Sequence, residues 1–258
     1  MEVAKQIIRP PLLRLVGPRC TDSLLSFDLH DALCLKLLIS KVLSLGIVTF
    51  GSILKVPQIS KIVGSGSVTG ISATSYLLET LVYLVALAYN HRQGNAFSTY
   101  GEVAFITLQN FIVLLLLFTY SRQVMLLLAV AGALSATTYG LFDPSLVDST
   151  LLSRFQWATI FLSAASKLPQ IYSNYKNAST GQLSAITVLL TLAGSAARVF
   201  TTWHEVNDPA LLTAFVVATL LNLVLGIQVM LYPKSGPAAH RPKPKSARPS
   251  KKPVKKAE

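Results

Sequence analysis

The chain has 258 residues, 52% of them hydrophobic and only 13% charged, with a mean hydropathy of +0.52. Soluble domains carry about a quarter charged residues, so this composition excludes an ordinary water-soluble enzyme and describes a membrane protein. The net charge of +12 is concentrated at one end, where residues 233–258 hold nine Lys/Arg and one acidic residue.

Residues 1–35 read as an N-terminal arm, with Pro10, Pro11 and Pro18 among scattered charges. They lack the basic, apolar, small-residue order of a cleaved signal peptide. Two cysteines, Cys20 and Cys34, are too few for a disulfide framework. Cys34 opens an apolar run, so a buried membrane thiol is expected there. A helix needs roughly 20 apolar residues to cross the hydrocarbon core. Seven windows qualify, at about 36–62, 71–89, 102–121, 124–142, 151–172, 184–203 and 210–232. The sequence therefore predicts an all-α membrane protein of seven transmembrane helices. The connections at 64–67, 91–95, 121–123, 143–144 and 207–209 are short and rich in Gly, Ser, Asn, Asp and Pro, as turns require. The tail, 233–258, mixes Lys and Arg with Pro, Ala and Ser and cannot bury a core, so disorder is expected. Tethered to a bilayer, it meets anionic lipid before any nucleic acid, and nucleic acid is not an expected partner.

An odd number of spans puts the termini on opposite sides, and basic residues mark the cytosolic one. The tail is cytosolic on that rule, and Lys61, Arg122 and Lys176 in the loops after spans one, three and five share its side. Asp143, Asp148, Glu205 and Asp208 fall on the opposite, lumenal side. The N-terminus is placed there too, against the vote of Lys5, Arg9, Arg14 and Arg19.

The strongest signal is an internal repeat. Lys55-Val56-Pro57-Gln58-Ile59 recurs as Lys167-Leu168-Pro169-Gln170-Ile171, an offset of 112 residues. Without a gap, the same offset aligns Ile71-Ser72-Ala73 with Leu183-Ser184-Ala185, and Thr107-Leu108-Gln109-Asn110 with Thr219-Leu220-Leu221-Asn222. Spans one to three (36–121) thus match spans five to seven (151–232), and span four, within 122–150, joins them. An odd joiner makes this a parallel repeat of the kind seen in sugar carriers.

These motifs supply the candidate site. Proline inside a helix removes a hydrogen bond and kinks the chain, so Pro57 and Pro169 are candidate hinges. Each frees a carbonyl, of Ile53 and Ala165, that must find a partner in lipid; the Gln58 and Gln170 amides are placed to help. Asn110 and Asn222 fall at matching depth on the third helix of each triplet. They serve either as helix–helix glue or as a pair of amides gripping a polyhydroxylated ligand. Glu79 lies mid-span, and ionisable groups at depth are functional suspects. Lys55 and Lys167 either pair with it or snorkel to the cytosolic headgroups, and Arg198 is expected to pair with Glu205 or Asp208. No catalytic constellation stands out: His30, His91, His204 and His240 are scattered without zinc spacing, no phosphate loop is present, and paired carboxylates for glycosyl chemistry are missing from the spans. An enzyme is not expected, nor a metal or cofactor.

Two Pro-Gln motifs in a seven-helix parallel repeat resemble the PQ-loop superfamily, which includes cystinosin-type transporters and the SWEET sugar carriers. The stretch 179–187, with Gly194-Ser195, Ala197-Arg198, Phe200-Thr201, Glu205 and Asp208-Pro209, more closely resembles the mannose-phosphate-dolichol utilization defect protein family. So does the segment from Cys34-Leu35-Lys36 to Gln58, and the likeness covers roughly 30–232. The first loop here is Gly/Ser-rich and departs from the family pattern by lacking its acidic residue. The C-terminal Lys255-Lys256-Ala257-Glu258 resembles the dilysine retrieval signal of endoplasmic reticulum membrane proteins.

The resemblance implies a protein of the endoplasmic reticulum membrane through which dolichol-phosphate-mannose, and the glucose form, become usable donors for lumenal N-glycan, GPI-anchor and mannosylation steps. Its implied partners are dolichol-linked sugar phosphates, the bilayer and lumenal glycosyltransferases. Asn110, Asn222, Gln58, Gln170, Lys55, Lys167 and Glu79 are the candidate translocation residues, the two lysines attracting phosphate at the cytosolic entrance. Two alternatives stand beside this one: a carrier of a small soluble solute coupled to protons through Glu79, and a non-transporting chaperone that presents dolichol-linked donors.

Overall fold

The computed structural model describes residues 2–26, 28, 31–180, 185–206 and 208–232. The expected tail with Lys255 and Lys256, and residues 181–184 of the second-repeat signature, lie outside the described residues. Among the described residues all regular structure is helical, in the order α1 (Glu2–Leu25), α2 (Ala32–Ile53), α3 (Val56–Ser65), α4 (Ala73–Arg92), α5 (Phe97–Tyr120), α6 (Val124–Phe142), α7 (Ser149–Asn177), α8 (Ala185–Glu205) and α9 (Pro209–Leu231). Each of the seven apolar windows holds a helix, the first of them broken into α2 and α3.

Length and apolar composition suffice for membrane crossing in five of them: Ala32–Ser65, Phe97–Tyr120, Val124–Phe142, Ile186–Glu205 and Pro209–Leu231. Helices α4 and α7 fall short because polar residues interrupt their apolar faces: Glu79, Asn90, His91 and Arg92 on α4, and Arg154, Gln156, Lys167 and Gln170 on α7.

Helix starts follow the local chemistry. Asp31, Ser72, Asp148 and Asp208 each turn a side-chain oxygen onto a backbone N–H of the first turn, satisfying donors that the helix itself leaves unpaired. Pro209 occupies the first helical position, where its missing N–H costs nothing. In α1 the chain bends at Gly17, whose φ of 76° is the left-handed conformation that glycine tolerates, just ahead of Pro18.

Packing follows the repeat. In the first triplet α5 lies between α2 and α4; in the second α9 lies between α7 and α8. Both triplets thus have the spatial order first, third, second. They meet reciprocally, α2 against α8 and α4 against α7, so that the first helix of each packs on the second helix of the other. That exchange is what a pseudo-twofold axis between parallel repeats produces. The joining helix α6 packs on α4 and α5 at the outside of the first triplet. An apolar core through α4, α5, α6, α7 and α9, including Leu84, Tyr89, Leu117, Phe118, Leu152 and Leu211, fixes this arrangement.

The cysteines are not thiols. Cys20 and Cys34 form a disulfide that closes a separation of 14 residues and staples α1 onto α2, beside Val16 and Leu12. The expectation of a buried thiol at Cys34 fails because α1 folds back along the start of α2, bringing the Cα atoms to 5.1 Å.

Candidate functional site

The first triplet has its helix break where the motif predicts one. Pro57 has no N–H for the Ile53 carbonyl, and α2 ends at Ile53, with α3 restarting at Val56. The repair comes from an unexpected residue. Gln109 of α5 accepts the Lys55 backbone N–H through Oε1 at 2.6 Å and donates from Nε2 to the Gly51 carbonyl at 2.9 Å. Gln58, expected to partner the freed Ile53 carbonyl, instead accepts the Tyr76 hydroxyl at 2.6 Å. The Lys55 ammonium pairs with Glu79 at 2.6 Å and lies 4.5 Å from the centroid of the Tyr76 ring, while Tyr83 donates to the other Glu79 oxygen at 3.0 Å. Of the alternatives open for Lys55, pairing with Glu79 is the one realised.

In the second triplet α7 runs unbroken through Pro169, and Gln170 is exposed. Lys167 reaches across to Asn222, donating to its Oδ1. Asn222 in turn donates to the Ser195 hydroxyl at 3.0 Å and to the Thr191 carbonyl at 3.2 Å, tying α9 to α8. Its counterpart Asn110 is fully buried and, among the described residues, makes no side-chain hydrogen bond. The two asparagines therefore occupy equivalent positions in different bonding environments.

A second polar network crosses between the triplets. Arg198 of α8 pairs with Glu102 of α5 and donates to the Ser98 carbonyl at 3.2 Å. The expectation that Arg198 pairs with Glu205 or Asp208 is corrected: the guanidinium lies deeper along α8, level with α5. Glu205, its side chain 3% exposed, instead receives Lys41 at 2.6 Å, Ser40 at 2.6 Å, Ser44 at 3.1 Å and Ser98 at 3.3 Å. Asp208 accepts the Tyr89 hydroxyl at 2.7 Å. The polar residues of the second-repeat signature thus form much of the hydrogen-bonded connection between the triplets.

At the other interface, between α4/α5 and α7/α9, lies a cavity of about 260 Å³. Its walls are mainly apolar, with Val103, Ile160, Ala164, Phe215 and Leu221 among them. Its polar lining includes Tyr83, Asn90, Thr99, Glu102, Gln156 and Lys167, with Tyr100, Thr159 and Ser163 beside them. Asn90, Thr99 and Gln156 sit near the ends of α4, α5 and α7 that meet the α4–α5 and α6–α7 connections, whereas Lys167 lies past the middle of α7. Asn110, Asn222, Lys55 and Glu79 do not line it. Among the described residues no group of His, Cys, Asp and Glu is placed to hold a metal ion.

The PQ loop repeat model matches this chain twice, at residues 39–99 and 151–211. The second match begins and ends 112 residues after the first, the offset of the internal repeat. Human solute carrier family 66 member 3 is 31% identical over 182 residues, spanning 70% of this chain and 88% of that relative. The chain belongs to the PQ-loop repeat family. No solved structure matches it.

Sequence reasoning about this PQ-loop protein missed Gln109, Glu102, Lys41, Ser40 and Ser44. Gln109 was marked: it is the position at which T-L-x-N differs between the repeats, Gln in one and Leu221 in the other. The serines carried no comparable signal, since Ser on an apolar helix is common and their partner Glu205 lies 165 residues from Ser40 and 161 from Ser44.

Proposed function

We propose that this PQ-loop protein is a non-enzymatic, seven-span protein of the endoplasmic reticulum membrane that makes dolichol-phosphate-mannose, and the glucose form, usable by lumenal glycosyltransferases. It does so by aiding passage of the sugar-phosphate headgroup between the triplets while the isoprenoid stays in lipid. The observation that carries this reading is the role of the second-repeat signature: Ser195 holds Asn222, Arg198 holds Glu102, Glu205 gathers Lys41 and three serines, and Asp208 caps α9. Among the residues that carry the family resemblance, Arg198 and Glu205 join the two triplets, while Ser195 and the Asp208 cap order the second one.

Helices α4 and α7 complete the seven spans. With 20 and 29 residues they reach about 30 Å and more at 1.5 Å per residue, enough for the hydrocarbon core. Glu79 of α4 and Lys167 of α7 bond to neighbouring helices, through Lys55 and Asn222 respectively. The Cys20–Cys34 bridge agrees with a lumenal N-terminus, because disulfides persist in oxidising compartments.

The test is the lipid-linked oligosaccharide profile of cells lacking the chain, read together with their dolichol-phosphate-mannose level. Truncated, mannose-poor intermediates with the donor still present are expected. A normal profile overturns the reading.

A second reading, a carrier of a small soluble solute, is favoured by the solute carrier relative and by the Lys55–Glu79 pair, a proton-exchangeable pair within the bundle. It predicts proton-driven uptake of a water-soluble solute into vesicles and no change in lipid-linked intermediates.

A further inference from the structure

Lys55 and Lys167 begin the same motif 112 residues apart, yet their electrostatic surroundings differ. Lys55 has a carboxylate, Glu79, at 2.6 Å, and Tyr76 beneath its ammonium. In the second triplet the position of Glu79 is Thr191, that of Tyr76 is Val188 and that of Tyr83 is Ser195. Lys167 finds only the neutral amide oxygen of Asn222. Among the described residues no carboxylate lies within ion-pairing distance of it. An ammonium inside a bundle without a counter-ion is costly, and the repeat shows what the missing partner is: one negative charge.

The same lysine lines the cavity between the triplets. Glu102, the carboxylate on that lining, is engaged by Arg198 and contributes no net charge. Toward the opposite end, Gln156 and Thr99 are 4% and 5% exposed, and each has a buried side-chain oxygen with no hydrogen-bond partner among the described residues. The cavity therefore combines an uncompensated cation at depth, unsatisfied hydrogen-bonding oxygens at the other end, and mainly apolar walls between, interrupted by Thr159 and Ser163. At about 260 Å³ it falls just below the range for drug-sized ligands and suits a single ring with one small substituent. Beyond its bond to Asn222, the Lys167 ammonium keeps two N–H groups for an anion.

We infer that Lys167 is the anion-binding residue of this cavity and that its ligand is a phosphate-linked hexose, whose phosphate gives Lys167 the negative charge that Glu79 gives Lys55. The sugar hydroxyls then donate to Gln156 Oε1 and Thr99 Oγ1. Naming the sugar phosphate rests on the function proposed above; the anion site rests on the geometry alone. Lys55, already neutralised, takes no part in holding phosphate.

The test uses the purified full chain in lipid nanodiscs with three probes: mannosyl phosphate carrying a short isoprenyl chain, mannose 1-phosphate, and uncharged octyl mannoside. Saturable binding of the isoprenyl phosphomannose is expected, with octyl mannoside at least about 10-fold weaker, the scale of a lost charged hydrogen bond. Lys167→Gln should weaken phosphomannose binding about 10- to 100-fold. Lys167→Arg should retain most of it, and Lys176→Gln, at an exposed lysine of the same helix, should leave it unchanged. Lys167-dependent binding of mannose 1-phosphate, together with a normal oligosaccharide profile in cells, would keep the anion site and discard the dolichol reading. Unaltered affinity in folded Lys167→Gln, octyl mannoside binding as tightly as the phosphomannose, or no saturable binding of either phosphate by the folded wild type would each overturn the inference. The octyl mannoside comparison needs no variant, so it decides even if Lys167→Gln fails to fold.

Discussion

Gln109 replaces the turn of backbone that α2 loses ahead of Pro57: its side-chain oxygen accepts from the Lys55 amide and its nitrogen donates to the Gly51 carbonyl. An amide side chain offers one acceptor and two donors, so a single residue satisfies both edges of the break. The equivalent position in the second triplet is Leu221, and there α7 is continuous. Gln109→Leu strands the Lys55 N–H inside the bundle and leaves the Gly51 carbonyl only the long 3.4 Å bond from the Leu54 N–H. At about 1–3 kcal/mol for an unsatisfied group, the detergent-solubilised protein should melt clearly below wild type. An unchanged melting temperature would mean that the break repairs itself without the side chain.

Gly51 sets how closely α2 and α5 approach. A Cβ built there would stand 2.5 Å from Glu102 Cβ and 3.0 Å from its Cα, both held by the α5 backbone. Gly51→Ala must therefore push the helices apart, by the usual cost of overpacking about 1–3 kcal/mol. It should also disturb the Glu102–Arg198 pair. Gly46, five residues earlier on the same helix, has nothing within 4 Å of such a Cβ, so Gly46→Ala should be neutral or stabilising through helix propensity. Thermal melts of the two variants side by side give the comparison, and equal losses would refute the close-approach account.

What could be read in the sequence was what obeys local or periodic rules. The repeat offset placed the equivalent helices, and the break at Pro57 followed from motif chemistry, whereas the Lys55–Glu79 pair was one of two placements the sequence left open. Helix ends at Asp208-Pro209 were visible because their chemistry is local. The rest depends on which faces meet across long separations. Arg198 was expected to bond Glu205, which is near in sequence, but the crossing of α5 and α8 brings Glu102 nearer in space. Cys20–Cys34 needed the fold-back of α1 onto α2, a tertiary contact that no apolar pattern marks. Pro169 shares its motif with Pro57, yet it leaves α7 unbroken, so the motif marks a place where a hinge is possible without dictating that the helix separates there.

The Cys20–Cys34 bridge makes a direct prediction. Closing a loop of about this length stabilises a chain by about 3 kcal/mol in the entropy model, so Cys20→Ser should lower the melting temperature and loosen α1 from α2. Maleimide should label neither cysteine in the denatured, unreduced protein, and should label both after reduction. Labelling without reductant would show that the two sulfurs are not joined in cells.

The pair Lys41–Glu205 is the most heavily hydrogen-bonded contact between the triplets, and it separates charge from shape. Glu205→Ala removes the acceptor shared by Ser40, Ser44, Ser98 and Lys41 and leaves a largely buried ammonium, its side chain 16% exposed, without a counter-charge. Breaking a buried pair from one side costs about 3–5 kcal/mol, and the residual access of Lys41 to solvent puts the expected loss at the low end. The double variant Lys41→Met with Glu205→Met removes both charges and keeps the volume. The serines it releases can turn to the carbonyl one helical turn back. It should therefore be less destabilised than Glu205→Ala alone, and a double-mutant cycle should give a coupling above about 0.5 kcal/mol. A cycle that closes with no coupling would assign the contact to the serines and leave Lys41 a bystander, because only a charge that Glu205 neutralises becomes a liability when Glu205 is gone.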